Sequence, residues 1–269
     1  MERHGLYLYC FARGGSLGRL DTPAVDGREG VETLQVGEVA AVFSPVALDE
    51  FSGPSAATDL RDPQWIIPRA CRHERVIAEM MRRCPVLPVR FGAVFSSADA
   101  LSHLLRSRGD EISRGLDRVS DKEEWAVKGF LDLARAEAWL AASDPGLAQR
   151  RARMPEASGA RYLLEKQFRA DVQQGLKLWR HATAQRVQEV LEANAVDACA
   201  LSLQPRDLSC RDGEMVLNFA CLLRRGRANE FRARLDRLSA GFLEQGLTLE
   251  ISGPWPAYHF CPAIVTESD

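Results

Sequence analysis

No apolar run in this sequence approaches the ~20 residues that a bilayer-spanning helix needs. Paired cysteines are missing too. The seven cysteines, at positions 10, 71, 84, 199, 210, 221 and 261, contain no Cys-x-x-Cys and are odd in number. A disulfide framework or a four-cysteine zinc site would show tighter spacing, so they are expected as reduced thiols. The five histidines, at 4, 73, 103, 181 and 259, never fall at His-Glu-x-x-His spacing, and no Gly-x-Ser-x-Gly elbow occurs. The glycine-rich stretch 12–30 lacks the Lys-Ser/Thr ending of a phosphate-binding loop and reads as a surface loop. No catalytic, cofactor-binding or metal residue is therefore assigned.

Charge of one sign is lacking as well. Thirty-five basic and 37 acidic side chains give a net charge of −2, which provides no overall pull toward nucleic acid or an anionic membrane. The amino-terminal MERHGLYLYCFARGG alternates like a strand and has no small-residue cleavage site, so a signal peptide is not expected and the chain reads as cytoplasmic.

What is present is a globular α+β pattern: 269 residues, 46% hydrophobic and 27% charged, enough for about two domains. The organising stretch is 85–95, PVLPVRFGAVF. Two prolines and a glycine break it for a helix, while its valines and phenylalanines suit a buried central strand between two helices. Arg90 in its middle needs a partner if buried. Residues 5–11 read as a first strand, and 31–46 as a second and third around a Gly-Glu turn. Asp62-Pro63 is a helix start, although Pro68 could delay the regular helix. From there Ile67, Ala70, Cys71, Glu74, Ile77, Ala78 and Met81 form an apolar stripe with one carboxylate in it. A Glu74–Arg90 ion pair is the reading that satisfies both charges; two separately solvated charges are the alternative. His73 beside Glu74 invites an acid–base dyad, but adjacent helical residues point about 100° apart.

Ser96 and Ser97 cap a further helix, interrupted at Gly109. Residues 120–124 form a polar boundary. Beyond it 125–131 read as a strand, 133–142 as a helix, and 143–155 as a mobile arginine-rich connection. A long helix follows Gly159. Strands at 198–203 and 214–223 are joined by a turn at Asp212-Gly213. A helix over 230–245 and a strand over 247–251 complete the pattern. The order β-α-α-β-β-α-β is a ferredoxin-like plan with an expanded first crossover. Domains are expected at 1–120 and 121–269. The tail 252–265 has three prolines, which exclude helix and central strand, and three aromatics, Trp255, Tyr258 and Phe260. It is expected to pack on its own chain, at the domain junction.

The segments LYLYCF (6–11), DLRDPQWIIPRACRHERVI (59–77), PVLPVRFGAVF, EEWAVKGFLD (123–132) and SGPWPAYHF (252–260) together resemble the gas vesicle protein F/L family, GvpF and GvpL. They occur in that family's order, and RFG-x-VF and GPWP-x-Y are the most specific pieces. Ala93 stands where threonine is common, His259 where serine is, and 143–155 has no counterpart. The resemblance implies two α+β domains, a mixed amino-terminal one and a modified ferredoxin-like second one. It implies no enzymatic activity and no cofactor. The implied role is accessory to gas vesicle assembly, with the small hydrophobic shell protein and other accessory proteins as partners, in the cytoplasm and at the vesicle. Glu74, Arg90, Phe91, Gly92, Trp125, Trp255, Pro256 and Tyr258 are the structural or interface candidates. A small-molecule sensor, or an enzyme with a dispersed site, are the readings from other classes.

Overall fold

Alternation in the amino-terminal strand gives way to continuous burial, because the strand is covered on both faces. The computed structural model describes residues 4–15, 18, 20–28, 30–52, 62–155, 159–205 and 213–265. In it β1, His4–Arg13, is buried from Tyr7 through Ala12. The antiparallel β3 (Val39–Ala47) pairs with one edge of β1, and β2 (Glu32–Val36) lies outside β3. The register slips between Leu8 and Cys10, a bulge at Tyr9. Two compact units divide the chain, Met1–Glu124 with Pro254–Asp269, and Trp125–Gly253.

The stretch 85–95 is not one central strand. It forms two short pieces, β4 (Val86–Pro88) and β5 (Val94–Phe95), both paired with the other edge of β1. Pro88 cannot donate to a ladder, and Gly92 at φ +99° turns the chain between them. The central strand is β1.

A five-residue helix α1 (Leu48–Ser52) follows β3. Helix α2 runs Pro63–Arg83, capped by Asp62, whose carboxylate accepts from the Gln64 amide. It starts at Pro63 rather than Pro68, which is held inside the early helix. Its buried face is His73, Val76, Ile77 and Met80, while Ile67 is 59% exposed. The apolar stripe is thus rotated by about one residue from the sequence expectation, which puts a histidine in the core. Helix α3, Ala98–Val119, is capped by Ser97 and passes through Gly109 without a break.

In the second unit β6 (Lys122–Leu131), β7 (Asp197–Ala200), β8 (Glu214–Arg224) and β9 (Leu247–Trp255) form a four-stranded sheet in the order β7-β8-β6-β9. β7 and β8 run antiparallel. Pro254 is tolerated within β9 because that strand is an edge. Val127, Leu131, Leu176, Val187, Leu191 and Phe219 belong to its core. Helix α4 (Leu133–Ser143) is followed by α5 (Pro145–Ala152), so 145–152 is helical rather than a loose connection. Asp144-Pro145 is the same start signal as Asp62-Pro63, and the Leu147 amide donates to the Asp144 carboxylate at 2.8 Å. The long α6 covers Gly159–Asn194. Helix α7 is Ala228–Ala240, shorter than expected, and a 3-10 turn at Leu243–Gln245 leads into β9. The strand expected over 198–203 ends at Ala200. Asp212 of the expected turn lies outside the described residues.

Candidate functional site

The densest polar construction in the first unit lies where α2 crosses β1. A tyrosine at position 7 and another at 9 bring two hydroxyls to one side of β1, with the bulge adjusting their spacing. Tyr7 and Tyr9 stack edge-on at 5.1 Å, and His73 of α2 sits 5.6 Å from Tyr7 and 5.7 Å from Tyr9. Phe91 completes the cage, edge-on to Tyr7 at 6.0 Å and to His73 at 5.8 Å.

Hydrogen-bond logic fixes the imidazole. Val89's carbonyl can only accept, so His73 Nε2, 3.0 Å away, carries the hydrogen. Nδ1 then accepts from the Tyr7 hydroxyl at 2.9 Å. That hydroxyl in turn accepts the Gly92 amide at 3.2 Å. Burial pushes the His73 pKa down to about 4, consistent with a neutral ring. Tyr9's hydroxyl accepts from the Val25 amide and shares a hydrogen with buried Ser44, both at 2.8 Å.

The terminal segment enters through Tyr258. Its hydroxyl donates to Glu74 Oε1 at 2.7 Å and lies 3.2 Å from His73 Nε2, from which it can accept. Neighbouring helical residues cannot pair with each other, yet they straddle this one phenol. Burial raises the Glu74 carboxyl above its ordinary range, and the Tyr258 bond offsets part of that. Burial and the Glu74 charge raise the Tyr258 phenol, so it stays a donor. Two further ties hold the segment. The His259 amide donates to Glu124 Oε2 at 3.0 Å and its Nδ1 to Oε1 at 2.6 Å, and Arg108 donates to the Ala263 carbonyl at 3.1 Å. Glu124 is itself only 3% exposed.

The expected Glu74–Arg90 pair is not formed. Glu74 is satisfied by Tyr258, while Arg90 lies in the turn between β4 and β5, exposed, and makes no ion pair or hydrogen bond among the described residues. Of the sequence candidates, Glu74, Phe91, Gly92 and Tyr258 come together, with Arg90 at their edge. Buried Pro256 supports the same segment, its carbonyl accepting the Tyr258 amide at 2.7 Å. Trp125 belongs to the second unit's core, 5.8 Å from the Arg232 guanidinium. Trp255, at the end of β9, is 47% exposed. Tyr7, Tyr9 and Ser44 were not singled out by the sequence. Only the Tyr-x-Tyr spacing on a strand could have pointed to the first two.

A cleft of about 550 Å³ opens beside this network, walled by residues 87–95 and by Tyr258 and 261–265.

A family model described as gas vesicle synthesis protein GvpL/GvpF matches residues 5–262. Gas vesicle protein L of Streptomyces sp. (strain CB03234) is 30% identical over 251 residues, 90% of this chain and 86% of that one. Gas vesicle protein F of the same strain is 29% identical, covering 94% and 98%. The crystal structure of GvpF from Anabaena sp. PCC7120 matches with a TM-score of 0.73 at 17% identity, over 96% of this chain and 98% of that one. That structural likeness shows a shared fold.

Proposed function

This chain belongs to the gas vesicle synthesis protein GvpL/GvpF family, and from that premise we propose that it serves gas vesicle assembly as a non-enzymatic adaptor or chaperone. Its partners on this reading are the small hydrophobic shell protein and other accessory proteins, met in the cytoplasm and at the growing vesicle. The observation that carries the reading is the family match from residue 5 to 262, which spans nearly the whole chain.

The surface supplies a physical reason. Tyr162 and Leu163 on the first turns of α6 are 68% and 61% exposed, and Leu178 further along is 65% exposed. A groove of about 790 Å³ in the second unit runs alongside, lined by Ala138, Met154, Phe168 and Val172 with Arg151 and Arg169. Apolar groups held out on a rigid helix can cover the apolar surface of an unassembled subunit. No helix among the described residues is long and apolar enough to cross a membrane.

The reading includes two domains, expected at 1–120 and 121–269, with a modified ferredoxin-like fold in the second, although residues 254–269 group with the first compact unit. The chain order β6, helices, β7, β8, α7, β9 and the sheet order β7-β8-β6-β9 support that plan.

Co-purification of the tagged chain with co-expressed shell protein tests the partner. Wild type should capture it, and a Tyr162→Ser, Leu163→Ser double variant with an unchanged melt should capture several-fold less. Failure of wild type to capture any shell protein would contradict the reading.

A further inference from the structure

We propose that the cleft between residues 87–95 and 261–265 is a docking site for an extended apolar segment of a partner protein that carries a carboxylate. The inference rests on the adaptor reading only in that the segment belongs to a partner.

One wall holds two short edge strands on either side of the turn at Gly92. β4 and β5 each have β1 as their sheet neighbour and no second one among the described strands, so an edge of each remains open. Opposite them, the backbone of residues 261–265 takes part in one hydrogen bond among the described residues, in which the Arg108 side chain donates to the Ala263 carbonyl. An open strand edge is the condition for strand addition, and Pro88 contributes only its carbonyl to it. The volume of about 550 Å³ is of the order of a few residues or a small ligand.

The lining selects the side chains. Phe91, Val94 and Val265 offer half-buried apolar side chains, and no aspartate or glutamate is among the described lining residues. Arg90 is the one charge there, exposed and without an ion pair among the described residues. A cleft with partly apolar walls and a single guanidinium that has no ion pair among the described residues complements an apolar strand with an acidic residue.

The site is also preformed. Gly92 is tied to Tyr7, Val89 to His73 and to the Tyr9 carbonyl, and the far wall is strapped down at Tyr258, His259 and Ala263. An occupant would order itself without having to order the walls, which lowers the entropic cost of binding.

Selection of phage-displayed random heptapeptides on the full chain, followed by fluorescence polarisation with the synthetic consensus peptide, tests this. Enriched sequences should alternate apolar residues and contain Asp or Glu. Arg90→Glu should weaken the peptide about 10-fold or more, as should N-methylation of its alternate amides, and Ala263→Trp should block the cleft. Thermal melts of both protein variants should match wild type. Enrichment of peptides without an acidic residue would overturn the proposal. So would binding indifferent to Arg90→Glu and N-methylation, or occupancy by octanoate with no peptide enriched. Shell-protein capture is read in a separate assay: its loss with peptide binding intact would remove that partner and leave the cleft. The reverse would remove the cleft alone.

Discussion

At the scale of single residues, the account turns on one phenol. Tyr258 joins the terminal segment to Glu74 and His73, so removing only its hydroxyl leaves a half-buried carboxylate without its donor. Tyr258→Phe should cost about 1–2 kcal/mol in a denaturant titration, a discount on the fully buried value for Glu74's partial exposure. Arg90→Ala, by contrast, removes an exposed side chain with no bond among the described residues and should stay within about 0.5 kcal/mol. The order would be reversed if Arg90 were half of a buried ion pair.

His73 adds a pH dependence. Unfolded, it takes up a proton near its ordinary 6.5; folded, burial delays that to about 4. Stability from this group is therefore full above about 6.5 and lost as the pH falls toward 4, at no more than about 1.4 kcal/mol per pH unit. Glu74 works the other way, since its raised pKa favours the folded state as the pH falls. Melts of His73→Gln should be flatter than wild type between pH 6.5 and 4. Parallel curves would mean that the buried imidazole is not the linked group.

At the scale of elements, Gly246 closes the turn from the 3-10 segment into β9 at φ +78°, and its carbonyl accepts the Asp132 amide at 2.9 Å. A Cβ there would lie 2.9 Å from the Asp132 carbonyl oxygen. Backbone strain and that clash fall together on one residue, so Gly246→Ala should lower stability by about 1–3 kcal/mol, read as a lower denaturation midpoint with unchanged slope.

Most elements were legible because their signals are local. The Gly-Glu turn at 37–38, the Asp-Pro start at 62–63, the Ser97 cap and the long α6 all appear where chemistry within a few residues places them. The α5 helix was legible too, through Asp144-Pro145, but the three arginines at 150, 151 and 153 drew the stretch toward a loop reading. Long-range polar pairing was not legible. Tyr258 reaches Glu74 across 184 positions, and no periodicity records which hydroxyl answers a carboxylate on a helix. The Glu74–Arg90 expectation failed for that reason: it chose an opposite charge in the next element, when a neutral donor from the far end of the chain supplied the bond.

For the whole molecule, the family match supports a role in gas vesicle assembly, and the proposed adaptor reading draws on the apolar residues held out on α6. The most direct test is formation of the vesicle itself. In cells that express the other gas vesicle proteins, light scattering that collapses under applied pressure would be compared with and without this chain. The account predicts little or no collapsible scattering without it, restoration by wild type, and poor restoration by the folded Tyr162→Ser, Leu163→Ser variant. Equal collapsible scattering whether or not the chain is present would contradict a role in assembly.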